Sequence, residues 1–286
     1  ARLMLADYAI QTVRDEDHLA LAAACQPGVG LCTIVGIDGS FSRRLGAQLA
    51  VLPDGTTVGD LADGCLESQL ASDMTQCTQP RVVRYGRGSS RIDFRLPCGG
   101  GLDILLEPKP DRGACRSALE ALQARRPAQL ALEGTGPLLN RTYLPALKLV
   151  VLGEGPELAA VAALGSAMTI DVEVLSRDKL ALGQATKKVR YDPWTACLLL
   201  FHDHEWELAL LEQALVSDAF YIGAQGGERA RSNRTLALAA RGVPEERSTR
   251  LTSPIGLLPS CKSPRTLALS APSEIVGRYE QMRAPA

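Results

Sequence analysis

Lys148-Leu149-Val150-Val151-Leu152 runs directly into Gly153-Glu154-Gly155-Pro156. An aliphatic run without a polar break reads as a strand buried on both faces. The two glycines permit a tight turn, and Pro156 suits the first turn of a helix. Strand, glycine turn and helix start make the unit from which doubly wound parallel sheets are built. The pattern repeats outward from it. A helix is expected near Glu157 to Ser166, then a strand from Thr169 to Leu175. A strand from Ala196 to Phe201 precedes a helix from Glu205 to Leu215. A strand from Ala219 to Ile222 precedes a helix from Glu228 to Ala240, and a helical stretch closes the chain. Alternation of this kind predicts a Rossmann-like doubly wound parallel-sheet domain over residues 146–286.

The first half reads differently. A helix is expected over Asp15 to Ala24. Strands are expected over Leu31 to Ile37, Ala47 to Leu52, Thr56 to Gly59, Arg81 to Tyr85, Arg91 to Leu96 and Leu102 to Glu107. Helices are expected from Cys65 to Met74 and from Ala114 to Arg126, with a short strand around Gln129 to Glu133. Short strands separated by Gly, Pro and Asp make an α+β domain, assigned to residues 1–140. Gly134 to Leu144 reads as irregular and holds the boundary. The whole chain is therefore of the α/β class, an α+β half followed by a Rossmann-like half.

Composition narrows the partners. Of 286 residues, 46% are hydrophobic but only 4% aromatic, so the core is aliphatic. Lys plus Arg number 31 against 32 Asp plus Glu, for a net charge of -1. General nucleic-acid binders are basic, so nucleic acid is not expected as a partner. No apolar run is long enough to span a membrane and the start has no signal-peptide core, so a cytoplasmic protein is expected. Eight cysteines without a CxxC pair read as reduced thiols rather than a disulfide framework or zinc site.

Gly153 and Gly155 occupy the positions that seat a pyrophosphate in dinucleotide-binding folds. The third glycine of that pattern is Leu158, and no acidic residue closes the second strand; Ser176 and Arg177 stand there instead. Both departures weigh against nicotinamide binding. An NAD(P)-dependent oxidoreductase stands as an alternative reading, with His204 as its proton donor.

Two blocks carry a family resemblance. The first is Gly39-Ser40-Phe41-Ser42-Arg43-Arg44-Leu45-Gly46-Ala47, followed by Asp63-Gly64-Cys65-Leu66-Glu67 and by Cys98-Gly99-Gly100. The second is Phe201-His202-Asp203-His204, then Ala219-Phe220-Tyr221-Ile222-Gly223, Arg229, Gly242-Val243-Pro244 and Pro254-Ile255-Gly256-Leu257. In order and spacing these resemble the xanthine dehydrogenase accessory factor family (XdhC/CoxI). The resemblance implies a chaperone that binds the molybdenum cofactor, supports its sulfuration and inserts it into a xanthine dehydrogenase-like molybdenum hydroxylase. A cysteine desulfurase would be a second partner, a homodimer the expected assembly, and catalysis of its own is not expected. The sequence departs from the family pattern at Ser42, at Ala62 and Asp63 before the cysteine, and at Gly226-Gly227. Pro272 is expected to interrupt the last helix, and the departures at Ala62, Asp63 and Pro272 leave open a second alternative, an adaptor for the hydroxylase that binds no cofactor.

The motif residues have matching chemistry. Cys65 lies between a turn and a helix start, where a thiol is activated, and a thiolate is a soft ligand for molybdenum or its sulfur. One more buried small residue is the alternative. Arg43 and Arg44 offer bidentate donors to a phosphate or to pterin oxygens, and Ser40 adds a hydroxyl. One of the two arginines is expected to be an ordinary loop charge, since neighbours in an extended segment point opposite ways. Gly64 and Gly99 bring backbone amides near an anion, with Cys98 as a second thiol. Glu67 is a candidate base or cofactor contact. His202 and His204 follow a buried strand at the edge where such folds bind ligands, and Asp203 is a candidate helix cap. Gly153 and Gly155 complete the set of candidate cofactor contacts.

Overall fold

The computed structural model describes residues 13–61, 64–89, 99–134 and 136–283. The chain divides into two compact units, one ending at Pro145 and the other spanning Ala146–Arg283.

In the first unit, strands β1 (Gly30–Asp38), β2 (Gln48–Val51), β3 (Thr57–Gly59), β4 (Arg81–Gly86) and β5 (Gly101–Glu107) form an antiparallel sheet of order β3-β2-β1-β5-β4. Alternation along the strands divides the core. Cys32 and Ile34 of β1, Leu49 of β2 and Ile104 of β5 lie in one cluster with Leu61, Leu66 and Leu70. Leu31 of β1 and Ala50 of β2 point the other way, against α1 (Leu19–Ala24) and α3 (Arg112–Gln123). This is the period-two rule of a strand applied to a sheet covered on both faces. Helix α2 (Cys65–Thr75) lays Leu66, Leu70 and Met74 on the first cluster.

The segment read as irregular, 134–144, contains a strand. β7 (Asn140–Tyr143) pairs antiparallel with β6 (Ala128–Ala131). It is tied back to the body: Tyr143 donates its hydroxyl to Gln48, and His18 Nε2 lies 2.8 Å from the Leu144 carbonyl. Those partners are more than ninety residues away in sequence, which is why local pattern missed the strand. The strand expected over Arg91 to Leu96 lies outside the described residues.

The second unit is a parallel sheet of β8 (Lys148–Gly153), β9 (Asp171–Ser176), β10 (Thr195–Leu200), β11 (Tyr221–Ala224) and β12 (Leu251–Thr252), in the order β12-β11-β10-β8-β9. Leu149 and Val151 face a core with α4 (Pro156–Ala167) and α8 (Pro264–Arg283). Val150 and Leu152 face another with α5 (His204–Leu215) and α6 (Glu228–Ala240). The Rossmann-like expectation is met. Helix α7 (Glu245–Ser248) is a single turn.

Pro272 does not interrupt α8. The helix runs through it, with Pro272 buried, and Ser273 Oγ donates to the Leu269 carbonyl at 2.5 Å. Proline removes one helical N–H and crowds the carbonyl four residues back, a cost that packing of Leu267, Ala271 and Ile275 into the core offsets. Among the described residues no helix is long and apolar enough to cross a membrane.

Candidate functional site

Cys65 is the first residue of α2, and its thiol is exposed. Cys25, Cys32, Cys77, Cys115 and Cys197 are buried, and Cys261 is partly so. Burial pushes the Cys115 and Cys197 thiols up to about 12 and Cys32 higher still, so these behave as apolar core residues. Gly64, before Cys65, has φ +93°, and a β-carbon there would meet nothing within 4 Å. Glycine is required by backbone conformation alone.

Glu67 holds this turn. Its Oε1 accepts the N–H of Leu61 at 2.9 Å and its Oε2 that of Gly64 at 2.8 Å. The carboxylate is buried and engaged with backbone, which makes Glu67 an anchor for the loop before the thiol. Arg43 reaches the same loop: it ion-pairs with Asp60, and its Nε donates to the Asp60 carbonyl at 3.2 Å. Arg44 is half-buried and Ser40 exposed. Asp60, Gly64, Glu67 and Ser68 line a cavity of about 510 Å³ with the Gly55–Thr57 turn.

The loop carrying Ser40 also meets the glycine turn after Cys98. A β-carbon on Gly39 would lie 3.6 Å from Gly100 Cα, and Asp38 pairs with Gly101 across the sheet. Gly99 has φ +68°, and its carbonyl accepts from Arg87 Nη2 at 3.0 Å. Segment 39–47 therefore touches both the loop before Cys65 and the turn at Gly99. Cys98, Ala62 and Asp63 lie outside the described residues. Arg84 and Arg87 were not anticipated; Arg84 bridges Asp38 and Asp103, each at 3.0 Å, and braces this end of the sheet.

In the second unit the sheet order reverses direction between β8 and β10, the switch point where open parallel sheets bind ligands. Gly153 ends β8 and Gly155 follows it, while His202 and His204 follow β10. A β-carbon on Gly153 would lie 2.2 Å from the Leu200 carbonyl oxygen, so glycine lets the strands close. Leu158, where a third glycine would stand, is buried in the core. Glu154 accepts from Arg177 Nη1 at 2.9 Å and from the His202 N–H at 3.3 Å. The Arg177 hydrogen bond holds the Glu154 carboxyl below its ordinary value. Arg177 also stacks over Trp206, 4.5 Å from the ring centre. Glu157 Oε2 lies 3.9 Å from His202 Nε2. Two carboxylates thus line the glycine turn. Asp203 caps α5, accepting the Glu205 N–H at 3.0 Å.

Residues 149–275 match the XdhC Rossmann domain and residues 22–86 match the XdhC and CoxI family. The molybdenum cofactor insertion chaperone PaoD of Escherichia coli (strain K12) is 32% identical over 267 residues, covering 87% of this chain and 82% of that protein. The chain belongs to the XdhC and CoxI family. A solved structure described as a xanthine dehydrogenase from Bacillus halodurans has the same fold, with a TM-score of 0.70 at 22% identity over 93% of this chain and 96% of that one.

Within this XdhC and CoxI family fold, the His204 neighbourhood holds residues that sequence reading missed. His204 Nδ1 lies 2.7 Å from Glu207 Oε1, and the fully buried Glu207 pairs with Arg234. Arg234 is 1% exposed and shares the inner side of α6 with Leu238, four residues on. An arginine in an apolar helical stripe was the available signal. Among the described residues, no group of three or more His, Cys, Asp or Glu side chains is placed to hold a metal ion.

Proposed function

We propose that this chain is a non-catalytic molybdenum cofactor chaperone: it protects the cofactor, supports its sulfuration and inserts it into a xanthine dehydrogenase-like molybdenum hydroxylase. The observation that carries the reading is the 32% identity to the insertion chaperone PaoD along most of both chains. The placement of Cys65 supports it. An exposed thiol at a helix start, preceded by a left-handed glycine in a pinned loop, suits a soft ligand facing molybdenum or its sulfur. Arg44, the Ser40 hydroxyl and the amide at Gly99 are assigned to the cofactor's phosphate, while Arg43, joined to Asp60, and Gly64, whose N–H is taken by Glu67, hold the loop. In this reading a cysteine desulfurase supplies the sulfur, and the working assembly is a cytoplasmic homodimer.

The NAD(P)-dependent reading needs the Gly153–Gly155 turn to take a pyrophosphate. Glu154 and Glu157 beside that turn repel a diphosphate. Ser176 is engaged by Asp178 and Arg177 by Glu154.

The test is binding of isolated molybdenum cofactor to the full chain, wild type beside Cys65→Ala, with transfer to an apo-hydroxylase as second readout. Wild type is expected to bind and transfer, the variant to bind at least about tenfold more weakly, a difference of about 1.4 kcal/mol. Absence of binding by wild type overturns the reading.

A further inference from the structure

The buried pair behind His204 sets what its ring can do. Arg234 Nε lies 2.5 Å from Glu207 Oε1 and its Nη2 lies 3.2 Å from Oε2. Its other donors reach Ser253 Oγ at 3.2 Å and the Gln225 carbonyl. Two groups reach His204 Nδ1: Glu207 Oε1 at 2.7 Å, which accepts, and Arg234 Nη2 at 3.4 Å, which donates. The far shorter contact to the carboxylate favours the tautomer in which Nδ1 carries the ring hydrogen. The lone pair of the neutral ring then sits on Nε2. No described residue takes Nε2, and the side chain is 42% exposed.

β8 and β11 flank β10 in the sheet, and other acceptors follow their ends. Glu157 Oε2, after β8, and Gln225 Oε1, after β11, are both buried without a hydrogen-bond partner. The arginines beside them are committed, Arg177 to Glu154 and Arg234 to Glu207. Buried acceptors left unsatisfied are costly, and a ligand bringing N–H groups removes that cost. A phosphate brings only further acceptors.

We propose that this edge of the Rossmann unit binds the amino-pyrimidinone end of a pterin. His204 Nε2 and the Glu157 carboxylate accept from its N–H groups, and Glu207 and Arg234 act as positioning residues that fix the His204 tautomer. The inference rests on the molybdenum cofactor reading and concerns the second unit by itself: its strand ends offer acceptors to a heterocycle rather than donors to a phosphate.

The experiment is a fluorescence titration of the full chain with 2-aminopteridin-4-one and with pteridine-2,4-dione, which has an acceptor in place of the amino group. Inorganic phosphate serves as competitor. The amino compound is expected to bind at least about tenfold more tightly than the dione, the step given by about 1.4 kcal/mol. His204→Ala and Glu157→Leu are each expected to remove that preference, while phosphate does not compete. Nitrogen-15 spectra of the imidazoles are expected to show the Nδ1–H form at His204 in wild type and its loss in Glu207→Met, which has no oxygen acceptor, a signature that a merely structural role for Glu207 would not produce. Equal affinity for both heterocycles, competition by phosphate, or wild-type preference in both variants overturns the inference. Binding of the intact cofactor with no binding of the pterin also overturns it, and leaves the chaperone reading standing. Failure of wild type to bind the intact cofactor overturns that reading instead.

Discussion

Glu67 Oε2 accepts the backbone N–H of Gly64 at 2.8 Å, so the residue before the exposed Cys65 thiol is held by the residue two after it. The same carboxylate takes the Leu61 N–H. The first turn of α2 and the loop leading into it are therefore one hydrogen-bonded unit. Glu67→Ala leaves these backbone donors without their acceptor and is expected to lower stability by about 1–3 kcal/mol. Glu67→Gln, which keeps one oxygen, is expected to lose less. Urea unfolding midpoints of the two variants check this; equal midpoints for wild type and Glu67→Ala would refute the anchoring role.

Gly64 and Gly153 are required for different reasons, and substitution separates them. At Gly64 a β-carbon has open space but the backbone is left-handed, so Gly64→Ala is expected to lower stability by about 1–2 kcal/mol and stay folded. At Gly153 a β-carbon would lie 2.2 Å from a backbone oxygen of β10. Gly153→Ala is expected to force the two central strands apart, with loss of stability exceeding that at Gly64. Circular dichroism melts of both variants give the order.

Thiol chemistry follows burial. Cys65 is expected to alkylate in the folded protein, while Cys32, Cys115 and Cys197 stay unmodified until denaturant is added. Peptide mapping after brief iodoacetamide treatment reads this directly. Labelling of Cys197 at the rate of Cys65 would contradict the placement of β10 at the centre of its sheet.

The Glu207–Arg234 pair is buried on both sides. Removing either partner alone strands a charge, so Glu207→Ala and Arg234→Ala are each expected to cost about 3–5 kcal/mol. Replacing both with Met is expected to cost less than the sum of the single changes. A double-mutant cycle by chemical denaturation measures the coupling, and additive effects would argue against a direct pair.

Glu107 makes a pH prediction. Burial raises its carboxyl to about 7, against the opposing hydrogen bond from the Glu133 N–H. In an unfolded chain a glutamate titrates near about 4.3. Between those values the folded protein holds a proton that the unfolded chain releases, so this group's contribution is fully present below pH about 4 and is lost as pH rises to about 7. Glu107→Gln is expected to flatten that slope and to be more stable than wild type at pH 8. Melting temperatures from pH 4 to 8 decide it.

The element types of both units were legible in the sequence because burial repeats with each element's own period. Leu149 to Leu152 alternate between two cores, as an aliphatic strand in a parallel sheet must. The glycine turn, the Asp203 cap and the position of Cys65 at a helix start were legible for the same local reason. Pairings across the fold were not. Arg234 and Glu207 are 27 residues apart, and nothing in the spacing of either helix says that they meet. Strand β7 and the unbroken helix through Pro272 depend on distant partners: Gln48 and His18 for the one, the sheet face under α8 for the other. Local pattern determined which residues face inward. The tertiary structure decided which inward-facing residues touch, because contact depends on how elements cross, and periodicity carries no information about crossing.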